Sequence, residues 1–275
     1  AAGKDPYQYR RSLLEANNRG APVIVRPWGL VREQLEAMLE TAGVRVEDAP
    51  LAADSIRIVG PVGLFELPAF TQGCCFVQDP AATMVTRYAA VPVGAVVADL
   101  CAAPGGKSVE FSRHAALVIA SDLSPGRLSR LISTKQRLDL PNVAPVAFDA
   151  RQPAIAPVDA VLVDAPCTGT GTFRRHPDAR WRLRLSDLAV TAMMQRDILR
   201  SAAMLVKPGG LLIYSTCSLE PEENEAQVEA FLLAHPGWQL EPPPESALPA
   251  GTLDAGFLRI LPHTHGVDGA FAARL

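Results

Sequence analysis

Nowhere in the 275 residues is there a run of about 18 apolar residues, the length that crosses a bilayer as a helix. The start is equally unlike a secretory signal, because Ala1 to Arg11 are polar and lack its apolar stretch. These two absences argue for a soluble, cytoplasmic protein with no membrane partner. A cysteine framework is missing too. Five cysteines, an odd number first met at Cys74 and last at Cys217, show neither disulfide-scaffold nor zinc-site spacing, so free thiols and no metal are expected. The net charge of -3 lacks the strong basic excess common among dedicated nucleic-acid binders, so any polyanion has to be met by a local patch. There is no internal repeat, and no low-complexity tract beyond Pro242 to Pro244.

What is there fits one substantial core with a small accessory domain. Hydrophobic residues make up 48% and charged residues 20%, close to ordinary globular usage. In the first part, Leu13 to Asn17 reads as helical and Pro22 to Arg26 as extended. Val31, Leu35, Met38 and Leu39 stand at helical spacing, and Ile56 to Val59 reads as another strand. This predicts a small α+β domain over residues 1–75. Pro61 to Pro80 carries Gly, Pro and aromatic residues without periodicity and reads as a linker or docking segment.

From residue 76 to 275 the pattern changes to apolar strands alternating with helices, the order of a doubly wound parallel sheet. The strand candidates are Val96–Leu100, Leu117–Ser121, Ala144–Phe148, Ala160–Val163 and Leu211–Tyr214. Phe257–Leu261 and Gly269–Leu275 read as an antiparallel hairpin closing one sheet edge. The first four strands end near Cys101, Asp122, Asp149 and Asp164, at the carboxyl rim where open α/β sheets bind ligands. A lone aspartate of this kind is most simply a loop cap; three in register favour a site.

The first of these strands runs into Cys101-Ala102-Ala103-Pro104-Gly105-Gly106-Lys107-Ser108, a strand-to-helix turn where backbone comes close to a ligand. Its spacing matches neither a dinucleotide fingerprint nor a phosphate loop, which leaves a nucleoside site, with Asp122 placed to accept from ribose hydroxyls. Cys167, in Asp-Ala-Pro-Cys, and Cys217, in Ser-Thr-Cys-Ser, follow two strands at equivalent places and face one cleft. Cys74 and Cys75 read as inert packing thiols, and Cys101 as structural. Methylation at carbon 5 of a pyrimidine requires a thiolate at carbon 6 to make the ring carbon nucleophilic, whereas an amino or hydroxyl acceptor needs no such step. Asp164 is placed to hydrogen-bond the ring and assist proton transfer, and the base must leave its stack. Arg174 to Arg184 holds five arginines and one aspartate, a local +4. Arg174, Arg175, His176 and Arg180 are candidates for phosphates, and Trp181 for stacking on an unpaired base. A solvated loop with salt bridges is the simpler alternative.

These residues resemble the bacterial RNA cytosine-C5 methyltransferase family, most closely its 16S ribosomal RNA branch, the RsmB (Sun/Fmu) type. The likeness runs through Glu15–Asn18, Val77–Asp79, Asp99–Lys107, Asp164–Gly169, Arg174–Asp178, Tyr214–Asn224 and Asp268–Ala273. It implies a Rossmann-like class I methyltransferase sheet behind a small RNA-recognition-like domain, S-adenosylmethionine as cofactor, and RNA, foremost 16S ribosomal RNA, as partner. It further implies that Cys217 attacks the base and Cys167 assists product release. By the same likeness residues 101–107, Asp122, Asp149 and Asp164 contact the cofactor, with Lys107 near the target base. A further helical RNA-binding domain usually precedes this region in the RsmB type. Two departures stand out: Arg26-Pro27-Trp28 lacks an asparagine of the family's small domain, and Pro80 replaces an acidic residue. A monomer is expected. Three alternatives stay open: cytosine-C5 methylation of transfer RNA or another ribosomal site, an idle ribosome-assembly factor, and a small-molecule methyltransferase.

Overall fold

The computed structural model describes residues 5–275. Helix α1 (Pro6–Asn17) begins at an Asp5 side-chain cap and is longer than its apolar pattern suggested. Strands β1 (Val23–Pro27), β2 (Arg45–Asp48), β3 (Ile56–Val59) and β4 (Cys75–Val77) form an antiparallel sheet in the order β2-β3-β1-β4. Against it lies α2 (Arg32–Thr41), which buries Leu35 and Leu39 with Val25, Ile56, Ile58 and Cys75. The segment expected to be a linker is therefore built into this unit: it contains α3 (Pro68–Thr71) and β4, whose residues Cys75 to Val77 pair with Pro27 to Val25. The expected division at 75/76 falls inside β4.

Asp79 caps α4 (Pro80–Ala89) by accepting from the Ala81 N–H, and Pro80 sits at the first helical position, where its missing N–H costs nothing. The second sheet has eight strands, β5 (Val96–Asp99), β6 (Leu117–Asp122), β7 (Val143–Ala147), β8 (Val158–Asp164), β9 (Val206–Thr216), β10 (Leu253–Asp254), β11 (Phe257–Ile260) and β12 (Ala270–Arg274). Their order is β10-β11-β12-β9-β8-β5-β6-β7. Helices α5 (Gly106–Ser112), α6 (Pro125–Leu138), α7 (Ala179–Arg182) and α8 (Leu185–Ala203) connect strands of the parallel part, α9 (Glu225–Ala234) follows β9, and α10 (Pro262–His265) precedes β12. The parallel strands are apolar at consecutive positions because both faces are covered: Ala160, Leu162, Leu211 and Ile213 pack on one side, Val161, Val163, Leu212 and Tyr214 on the other.

The C-terminal hairpin lies along one sheet edge as expected, with one short strand added outside it. β12 pairs antiparallel with β9, so the hairpin extends the sheet by three strands and leaves β10 at the edge. The chain leaves β5 first toward β6 and β7, then returns to β8 and β9 on its other side. That reversal puts a crevice at the carboxyl ends of β5 and β8, where such sheets take ligands. Among the described residues, no helix is long and apolar enough to cross a membrane.

Candidate active site

The loop after β5 is held from three directions. Ala102 N–H donates to Ser121 O at 2.7 Å, Arg127 Nη2 donates to Ala103 O at 3.0 Å, and Gly105 adopts φ of 112° to start α5. A Cβ on Gly105 would lie 3.0 Å from the Leu131 side chain, so both conformation and space require glycine. Asp99, fully buried at the end of β5, accepts from Ser108 Oγ at 2.7 Å, and burial pushes its carboxyl up to about 7.

Asp122 ends β6 and is buried. Its Oδ1 accepts from Ser124 N–H at 3.0 Å, while Oδ2 faces the Arg127 guanidinium at 3.5 Å and has no hydrogen-bond partner among the described residues. A buried carboxylate oxygen with no hydrogen bond beside a glycine turn is what a ribose hydroxyl satisfies. Asp149 stands at the same rim but folds onto Arg151, accepting from its backbone N–H at 2.9 Å and from Nη2 at 2.6 Å, and these bonds lower its pKa. It thus fills the loop-capping role that a lone aspartate suggests.

The two cysteines meet. Cys167 Sγ and Cys217 Sγ are 3.4 Å apart although fifty positions separate them. The Cys167 loop is fixed by Glu223, which is fully buried and accepts from Thr168 N–H at 2.9 Å, Thr168 Oγ1 at 2.5 Å and Gln195 Nε2 at 3.0 Å. Asn224 fixes the Cys217 turn, accepting from Thr216 Oγ1 at 2.5 Å and donating to Ser218 O at 3.0 Å. Asp164 bridges Lys107 Nζ at 2.7 Å and Ser215 Oγ at 2.9 Å. The hydrogen bond from the Cys167 thiol lowers the pKa of Cys217, with help from Lys107, against burial and the charge of Asp164. The same bond and burial hold Cys167 well above an ordinary thiol. Burial would depress Lys107, but Asp164 overrides it and keeps the ammonium charged. The site therefore holds a nucleophile-prone sulfur, a protonated sulfur beside it, and an ion pair within the same crevice.

The arginine-rich segment departs from its expected role. Arg174 bridges Asp79 at 3.0 Å and Asp268 at 2.6 Å; Arg175 pairs with Asp79 at 2.6 Å and also with Asp268. Arg180 donates to Asn18 Oδ1 and Asn17 O, both at 2.7 Å, and Arg182 pairs with Asp178. Arg174 and Arg175 are neutralised within the chain because two carboxylates, remote in sequence, converge on them, whereas Arg180 bonds uncharged groups. His176 and Trp181 are exposed, Trp181 at 89%. Sequence reasoning gave no role to Glu223, Asn224 and Asp99, although all three lie within the stretches that carry the family likeness.

A mostly parallel sheet of this order, with a glycine turn after β5 and a buried aspartate closing β6, defines the Rossmann-like methyltransferase class. A family model described as 16S rRNA methyltransferase RsmB/F matches residues 91–275. Over 98% of its length the chain is 36% identical to Ribosomal RNA small subunit methyltransferase B of Vibrio cholerae and 37% identical to that of Yersinia pseudotuberculosis. It spans 62% and 63% of those two proteins. The crystal structure of PH0851 matches with a TM-score of 0.88 at 34% identity, covering 97% of this chain and 62% of that one. The chain belongs to the RsmB/F family of 16S rRNA methyltransferases. The cofactor of that family is S-adenosylmethionine, and Asp122 Oδ2, which takes no hydrogen bond among the described residues, fits its ribose.

Proposed function

We propose that this chain methylates carbon 5 of a cytosine in RNA, foremost 16S ribosomal RNA, with Cys217 as the covalent nucleophile. The observation that carries this reading is the 3.4 Å contact between Cys167 and Cys217 beside the Lys107–Asp164 pair. Plain nitrogen or oxygen methylation has no use for two sulfurs there. Bound S-adenosylmethionine supplies an electrophilic methyl group. The Cys217 thiolate adds to carbon 6, placing electron density on carbon 5, and the Lys107–Asp164 pair holds the ring by its polar edge. After transfer, the carbon 5 proton leaves to a base, the carbon 6–sulfur bond breaks, and Cys167 assists release. RNA contact falls to exposed groups such as His176 and Trp181 rather than to Arg174 and Arg175.

Cysteine substitution tests this. Cys217→Ala abolishes both methyl transfer and any covalent protein–RNA adduct. Cys167→Ala accumulates an adduct on ordinary cytosine RNA with cofactor present, seen as a band that survives denaturing electrophoresis; the double variant shows none. The opposite pattern reverses the roles of the two cysteines. No adduct with any variant, together with full activity in Cys217→Ala, rejects covalent catalysis.

A further inference from the structure

A second compartment adjoins the loop 101–107. Its volume is about 520 Å³, within the roughly 300–1,000 Å³ of pockets that take nucleoside-sized ligands. Ala102, Ala103, Pro104, Gly106 and Lys107 of that loop form part of its wall together with Asp164, whereas Asp122 and Asp149 take no part in it. The compartment therefore reaches the Lys107–Asp164 pair of the active site and lies apart from Asp122, the group that fits the cofactor ribose. Its other walls come from the small sheet unit on one side and α6 on the other.

Three features of that wall are unexplained by folding. Phe65 is 72% exposed, with its ring edge-on to Phe70 at a centroid distance of 5.1 Å, and the far side of Phe70 is already covered by the Arg137 guanidinium at 3.7 Å. Arg130, on the α6 side, is exposed and makes no ion pair among the described residues. Gln78 is 95% buried by its 5% exposure, and its Oε1 is pinned by Thr83 Oγ1 at 2.8 Å, yet Nε2 has no acceptor among the described residues. A buried donor held in place without an acceptor is unfavourable unless a ligand completes it. Nε2 also lies where a Cβ on Gly106 would come within 3.0 Å, so that glycine keeps the approach to the amide open.

We propose that this compartment receives the base of an unpaired RNA nucleotide next to the target cytosine: Phe65 stacks on it, Gln78 Nε2 donates to an acceptor on its edge, and Arg130 meets its phosphate. The inference rests on the RNA reading given above. An exposed ring, a free cation and an oriented amide around a nucleotide-sized space are the combination by which single-stranded RNA is held and read. Because the amide offers a donor, it ranks neighbouring bases by how well they present a carbonyl oxygen or ring nitrogen.

The test measures affinity for short single-stranded RNAs that carry one central cytosine and differ only in the nucleotide next to it, alongside S-adenosylmethionine affinity by calorimetry. Phe65→Ala, at an exposed position that folding does not need, weakens RNA binding about 10-fold, the scale of one lost base stack. Cofactor affinity stays as in the wild type. Gln78→Glu, which keeps the acceptor facing Thr83 but removes the donor, changes the ranking of the adjacent nucleotides. Unchanged RNA affinity in Phe65→Ala with an unchanged ranking in Gln78→Glu overturns the proposal. So does a loss confined to the cofactor, which would give the compartment to S-adenosylmethionine. If the wild type binds RNA in a Phe65-dependent way but methylates no carbon 5, the cytosine chemistry falls and the compartment stands.

Discussion

At the scale of single residues, Cys217 and Cys167 were legible because each follows an apolar strand in a short polar motif, and a strand end fixes where a side chain points. Their unequal protonation was not legible, since it depends on a 3.4 Å contact between loops fifty positions apart. That contact gives a pH prediction. Cys217 is an acid whose pKa is lowered chiefly by the Cys167 thiol, so its thiolate forms at lower pH than an ordinary cysteine's. Cys167→Ala removes the donor, and the midpoint of the Cys217 alkylation rate moves to higher pH; an unmoved midpoint would show that the contact leaves reactivity alone. Asp122 supplies a second test. With Oδ2 buried and taking no hydrogen bond among the described residues, Asp122→Ala weakens S-adenosylmethionine binding by roughly 1.5–3 kcal/mol, the scale of a charge-assisted hydrogen bond, as read by calorimetry.

At the scale of elements, the parallel strands were readable because burial on both faces imposes continuous apolar runs, as in Val96–Asp99 and Val158–Asp164. β2 was not readable: Arg-Val-Glu-Asp is mostly exposed, and beside the backbone ladder its pairing with β3 draws on a Glu47–Arg57 ion pair that spacing does not announce. β4 hid within a segment rich in turn residues, three residues long. The arginine-rich segment misled for a related reason. A local excess of charge says nothing about carboxylates brought from elsewhere, and here Asp79 from the start of α4 and Asp268 from before β12 neutralise Arg174 and Arg175. The quartet ties the Cys167 loop to two other elements. Close backbone packing does the same: a Cβ on Gly171 would lie 2.6 Å from Cys217 O and 2.7 Å from Gly269 Cα. Arg174→Ala leaves buried carboxylate charge short of a partner and destabilises the fold by about 3 kcal/mol in urea denaturation. The salt slope of RNA binding changes little, because this cation was already neutralised; a slope flattened by a full phosphate contact would restore it to the RNA interface.

At the scale of the whole molecule, the small sheet and the catalytic sheet are joined by buried polar contacts as well as by the chain. Arg26 on β1 donates to Glu110 of α5 at 2.6 Å and to Asp54 at 2.9 Å, and Arg87 of α4 reaches Asp54 at 2.7 Å. Trp28 adds a bond from Nε1 to Leu138 O at 2.8 Å, closing the end of α6 against the same unit. Positions 26–28, where this chain departs from its family's small-domain pattern, are thus an internal seam here. Burial alone would raise the Asp54 carboxyl, but the bonds and charges of Arg26 and Arg87 hold it at about 2. Its folded value lies below the roughly 3.9 of an unfolded aspartate, so folding favours the ionised form. Stability from this group is present in full above about pH 4 and is lost as the pH falls through about 2. Other carboxylates titrate across the same range, so the measurement is a difference between two proteins. Urea unfolding of the wild type and of Asp54→Asn, followed from pH 6 down to pH 2, shows the wild type more stable at the upper end and the two curves converging at the lower. A gap that stays constant over that range would mean that Asp54 stabilises the seam by shape, and that the charge of its carboxylate contributes nothing to holding the two sheets together.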